Sequence, residues 1–150
     1  MTQPSPLKTL IGLAEEELDA AAQKLGRLQR ERAEVEKQLD ALVTYRAEYH
    51  RRFNEAARLG MDAGSVRNFQ AFITTLDQAI EQQQRLLTQA TARVEAAKPE
   101  WLSSKQKLGS FEVLQTRQDE VAARQEARRE QRDTDEYSAR IARMRAAQHS

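Results

Sequence analysis

A single stripe of residues constrains this chain more than anything else in it. Leu7, Ile11, Ala14, Leu18, Ala21, Leu25, Leu28, Arg32, Val35, Leu39, Leu42, Arg46, Tyr49, Phe53 and Ala56 follow one another in alternating steps of four and three, and only Arg32 and Arg46 are polar. A β-strand turns every second residue to the same side, so it cannot collect these positions on one face. An α-helix can. A repeat averaging about 3.5 residues, held this long, marks a helix that packs lengthwise against another helix. Ser5 followed by Pro6 supplies a cap and a first helical residue, and Gly60 supplies the left-handed residue that ends a helix. The spacing predicts helix 1 over about 6–58 and a turn at about 59–65, with Ser65 capping a second helix from about 66 to 140.

The second helix carries a matching stripe: Val66, Phe69, Ile73, Leu76, Ile80, Gln83, Leu87, Ala90, Val94, Ala97, Trp101, Ser104, Leu108, Phe111 and Gln115. Two long helices joined by a short turn fold back on each other, and the turn fixes the register. Phe53 then faces Phe69, Tyr49 faces Ile73, Leu42 faces Ile80, Val35 faces Leu87, Leu28 faces Val94 and Ala21 faces Trp101. Small residues repeatedly oppose large ones, which keeps a seam of even width. Arg32 falls opposite Ala90, where its stem can lie along the seam and its guanidinium reach water. The expected fold is all-α, a single domain over 1–150: a long antiparallel two-helix coiled-coil hairpin. At about 1.5 Å per residue, a first helix of about 50 residues spans about 75 Å, a rod without a folded pocket.

Two features modify the hairpin. Pro99 lacks an N–H and its ring collides with the preceding turn, at a cost of about 3 kcal/mol. The seam nevertheless keeps its register from Ala97 to Trp101 and Lys98 is a poor cap, which predicts one helix kinked near Pro99 rather than two. Beyond Gln115 the stripe loses its large residues, and the matching positions of helix 1 fall before residue 7. The end of helix 2 is therefore an overhang, rich in Arg.

Charge and composition exclude much. Lys and Arg number 24 against 23 Asp and Glu, for a net charge of +1, and the signs are interleaved. A nucleic-acid-binding helical arm needs a basic stripe, so it is the weaker alternative. There is no Cys, and His50 and His149 are the only histidines. No metal site, cofactor site or catalytic group is expected from such a set. The acidic residues Glu15, Glu16, Glu17, Asp133, Asp135 and Glu136 fall on expected helix surface, with no pocket around them to make a catalytic site. No apolar run approaches the length of a membrane span, and the opening MTQPSPLK lacks a signal peptide's apolar stretch. A cytoplasmic, non-enzymatic chain is expected.

The aromatics are unevenly placed. Tyr45, Tyr49, Phe53, Phe69 and Phe72 bracket the predicted turn, although the chain has only four Phe, three Tyr and one Trp. Tyr45 and Phe72 lie beside the seam. Gln38, Leu42, Tyr45 and Tyr49 step by four, three and four, as do Phe72, Leu76, Ala79 and Gln83 on the other helix, so the two rows form one flank. Periodicity leaves two meanings open: a seam widened at its edge, or a docking patch for a partner.

At these residues the sequence resembles the FliJ family of the flagellar type III export apparatus. The likeness is carried by "LIGLAEEELDAAAQKLGRLQ", "QLDALVTYRAEYHRRFN", "NFQAFITTLDQAIEQQQ" and "LQTRQDE", most specifically by Tyr-x-x-x-Tyr before the turn and Asn-Phe-Gln-x-Phe-Ile-x-x-Leu after it. The resemblance implies a stalk similar to that of rotary ATPases. It would engage the export ATPase FliI and the export-gate protein FlhA, assist chaperone recycling, and sit at the cytoplasmic face of the inner membrane through these partners. It implies gate binding by Gln38, Leu42, Tyr45, Tyr49, Phe72, Leu76 and Ala79, with Gln83 standing where the family has a histidine. It also favours contact between the overhang and the ATPase ring through Arg117, Arg124, Arg128, Arg129 and Arg132. A plain coiled-coil spacer, with a solvated tail, is the alternative.

Overall fold

The computed structural model describes residues 5–149. Two helices account for nearly all of them: α1, Pro6–Arg58, and α2, Ala63–Gln148. No strand occurs among the described residues. The chain divides into two compact units, one made of Glu17–Ser104 and the other of Met1–Glu16 with Lys105–Ser150.

In the Glu17–Ser104 unit, α1 and α2 form an antiparallel hairpin. The turn begins where the N–H groups of Leu59 and Gly60 tighten onto the carbonyls of Ala56 and Ala57. Gly60 has a φ of +97°, a conformation that a residue with a Cβ reaches only with strain. The cap of α2 differs from the expected one: Asp62, not Ser65, performs it. The Asp62 carboxylate accepts the Ser65 N–H at 2.7 Å, and α2 therefore starts at Ala63. This places Ser65 at the third helical position, the position whose free N–H a capping side chain reaches. The bond to the Ser65 backbone, helped by the Ser65 hydroxyl, holds the Asp62 carboxyl below its ordinary value.

Every residue of both predicted seams in this unit is buried or half-buried. Phe69, Leu76, Ala90, Val94 and Ala97 are the most enclosed, and Val94 is fully so. Phe53 stacks on Phe69 with ring centroids 3.7 Å apart, which fixes the register expected from the stripes. Two of the polar seam residues of this stretch, Arg46 and Gln83, find partners. Arg46 pairs with Asp77 across the hairpin, and that hydrogen bond raises its pKa further. Gln83 donates from Nε2 to the Val35 carbonyl at 3.2 Å and to Gln38 Oε1 at 2.9 Å. Lys24 and Glu100 add an exposed cross-helix pair at 3.0 Å, a contact that contributes little on an open surface. α2 passes through Pro99 without interruption, one helix as the seam register predicts. Thr74, Thr75 and Thr88 satisfy their hydroxyls on carbonyls one turn back, so they sit in the helix without an unpaired donor.

In the other unit, Ser5 caps α1 by accepting the Lys8 N–H at 3.2 Å. Leu7 and Ala14 are buried, and Ile11, Leu108, Phe111 and Gln115 half-buried. The seam ends at Gln115. Its Nε2 bonds Asp119 at 3.0 Å, but its enclosed Oε1 has no hydrogen-bond partner among the described residues, which is a poor residue on which to extend an apolar stripe. From Thr116 to Gln148 every residue is exposed except the half-buried Ile141. That stretch is helical further than expected. Its support is local: Gln131 to Asp135 at 3.0 Å and Arg129 to Glu126 at 3.7 Å, contacts between neighbouring turns.

Candidate docking face on the hairpin

Tyr45, Tyr49 and Phe53 recur every fourth residue, so α1 carries them up one side as a column. Across from it, Phe69 and Phe72 are three apart on α2. The five rings form a ladder. Phe53 stacks on Phe69; Phe69 stacks on Tyr49 with centroids 4.9 Å apart; Tyr49 meets Phe72 at 4.6 Å; and Phe72 meets Tyr45 edge-on at 6.2 Å. Tyr45 also stacks on Tyr49 at 6.3 Å. The ladder thus starts in the core and ends at the surface: Phe69 is buried, Tyr49 and Phe72 are half-buried, and Tyr45 is 50% exposed. Rings locked against each other lose little freedom when a partner covers the last of them, which favours such a surface for binding.

The remaining residues of the flank divide. Leu42 and Ala79 are half-buried beside the ladder, and Gln38 is exposed. Leu76 is not a surface residue; at 7% exposure it belongs to the core and supports the face from beneath. Gln38 is tied down at both ends, accepting from Gln83 and donating to Glu34 at 3.4 Å. The face is bordered toward the turn by a tight charge cluster. Arg51 donates to Glu48 at 2.6 Å and to Glu55 at 2.7 Å, and Arg52 reaches Glu48 at 3.3 Å. The Arg51 hydrogen bond holds the Glu48 carboxyl below its ordinary range. These charges satisfy one another. His50 packs edge-on to Phe53 and Phe69, at 6.4 and 5.6 Å.

The arginines expected at the ATPase ring lie in the other unit, on α2, all of them exposed. With about 3.6 residues per turn, Arg117, Arg124 and Arg128 share one side and Arg132 lies near it, whereas Arg129 points about a third of a turn away and pairs with Glu126. Asp62, Asp77, Lys24 and Glu100 lie off the stripes and still shape the hairpin. Asp62 carried a signal, being a good capping residue three before Ser65. Among the described residues no group of three His, Cys, Asp or Glu could hold a metal ion, and no helix is long and apolar enough to cross a membrane.

An antiparallel hairpin of two long helices, with an aromatic flank as its most distinctive surface, belongs to the class of coiled-coil-like helical hairpins. The comparisons with known proteins are specific. A family described as "Flagellar FliJ protein" matches residues 3–147. The flagellar FliJ protein of Salmonella typhi is 39% identical over 142 residues, covering 95% of this chain and 97% of its own. That of Escherichia coli K12 is 37% identical over the same length and coverage. This chain belongs to the FliJ family, whose members are components of flagellar export and not an enzyme family. The solved structure of a putative YscO homolog, CT670 from Chlamydia trachomatis, shares the fold, with a TM-score of 0.51 at 18% identity over 95% of this chain and 97% of that one.

Proposed function

We propose that this chain is a non-enzymatic, stalk-like coiled coil of the flagellar export apparatus that docks on the export-gate protein FlhA through the aromatic flank. The Arg-bearing part of α2 engages the ring of the export ATPase FliI, and the chain assists the recycling of export chaperones. It works in the cytoplasm, held at the inner membrane's cytoplasmic face by these partners. The observation that carries the reading is the ring ladder, anchored by buried Phe69 and presented to solvent at Tyr45. A seam needs only its inner rings. A ladder continued outward, on residues for which the family resemblance implies gate binding, supplies the rigid aromatic anchor that interfaces favour.

Tyr45→Ala tests this reading, because Tyr45 is the ring whose loss disturbs the core least. Calorimetric titration with the cytoplasmic domain of FlhA should show affinity reduced by about fivefold or more, the loss expected for an interface aromatic worth more than about 1 kcal/mol. Undiminished affinity with unaltered circular dichroism would leave the flank as the edge of a seam and the chain as a spacer.

A further inference from the structure

We propose that the docking face continues past Gln38 and Gln83 for two more helical turns, into a groove that takes an apolar side chain of the same partner flanked by a cation and an anion. This rests on the gate-docking reading above. The steps of four and three that define the flank do not stop at Gln83: Leu86, Ala90 and Arg93 follow it on α2, and Val35 and Glu31 follow Gln38 on α1. The structure places these residues around one open depression, lined by Glu31, Glu34, Val35, Leu86, Ala90 and Arg93 among others.

Its floor is apolar. Ala90 is buried, Val35 half-buried, and Leu86 is 41% exposed with no seam position to explain it. Its rims carry opposite charge, Glu31 and Glu34 on α1 and Arg93 on α2. Glu31 and Arg93 form no ion pair with each other or with any other described residue, although each of them lines the groove. Charges that the hairpin leaves unpaired on the two sides of an apolar strip are matched by a segment with a Lys or Arg toward α1 and an Asp or Glu toward Arg93. The layer between ladder and groove does not break the surface. Gln83 directs its amide nitrogen to Val35 and Gln38, and Gln38 directs its own to Glu34, so this layer is held in place within the hairpin.

The test uses the full chain and the FlhA cytoplasmic domain as probe, titrated at low and high salt, with Tyr45→Ala as the standard. Leu86→Ser should lower affinity about fivefold at either salt. The double variant E31R/R93E should lower it at low salt, with the loss shrinking as salt screens the rims. If Tyr45→Ala weakens binding while Leu86→Ser and E31R/R93E do not, the groove is not part of the face and the gate reading stands. If none of the three weakens binding, the gate reading fails and takes the groove with it. Should Leu86→Ser reduce helix content, the double variant, confined to exposed rims, decides alone.

Discussion

Phe69 shows how unevenly the residues of one ladder share its work. It is buried, stacked on Phe53 and on Tyr49, and removing it leaves a gap that two helices cannot close without losing the contacts on either side. Phe69→Ala should destabilise the hairpin by about 3 kcal/mol, the lower end for a core phenylalanine because the seam is narrow. Urea unfolding followed by circular dichroism measures it; Tyr45→Ala in the same assay should fall within about 1 kcal/mol of the parent. Asp62 makes a different kind of contribution. Its carboxyl is held below its ordinary value of 3.8 by the Ser65 N–H and hydroxyl. A carboxyl whose pKa is lowered by folding stabilises the fold above its unfolded pKa, and that stability is lost as pH falls through the folded value. Asp62→Ala should therefore lower Tm by roughly 2–4 °C at neutral pH, and the gap from the parent should narrow once both are melted well below pH 3.8.

At the scale of elements, the two helices were legible because a heptad stripe is a statement about angle, and angle decides which residues a long neighbouring helix covers. The seam, the register of Phe53 on Phe69, Ser5 and Gly60 as termini, and the continuity of α2 through Pro99 all follow from that. Angle does not decide how deep a residue lies at the edge of the seam. Leu76 belongs to both seam and flank, and it is buried while Tyr45 and Gln38 of the same flank are exposed, a depth that depends on side-chain rotamers as much as on spacing. The bonds of Gln83 to Val35 and Gln38 are likewise choices of a flexible amide that no period encodes. The cap of α2 was misplaced for a simpler reason. Gly64 reads as a turn residue, yet a glycine in the first turn of a helix is tolerated when a carboxylate ahead of it supplies the cap. Pro99 offers a test at this scale. It is exposed, inside an unbroken helix, and lacks the N–H that its place in the helix calls for. Pro99→Ala should stabilise the hairpin by about 1–3 kcal/mol, read as a higher urea midpoint at an unchanged slope.

For the whole molecule, the two units divide the proposed contacts: the aromatic flank and the Leu86 groove belong to Glu17–Ser104, and the arginines proposed for the ATPase ring belong to the unit that includes Lys105–Ser150. The residues after Gln115 contribute no buried side chain, so no part of the core needs them. A single helix that long without a covering neighbour is marginally stable in water, and a binding partner that covers it supplies what the chain itself does not. A ring that holds this helix is stabilised as an assembly over its free subunits, because the ligand favours the state that binds it. Truncation after Gln115 separates the two proposed contacts. The shortened chain should unfold in urea at the parent's midpoint and bind the FlhA cytoplasmic domain with unchanged affinity, since Leu7, Ala14 and the five buried residues of α2 are all retained. Stimulation of ATP hydrolysis by FliI, measured alongside ring assembly, should be lost. Equal stimulation by the truncated and full chains would remove Arg117, Arg124, Arg128, Arg129 and Arg132 from the ring contact and move it to the residues that remain.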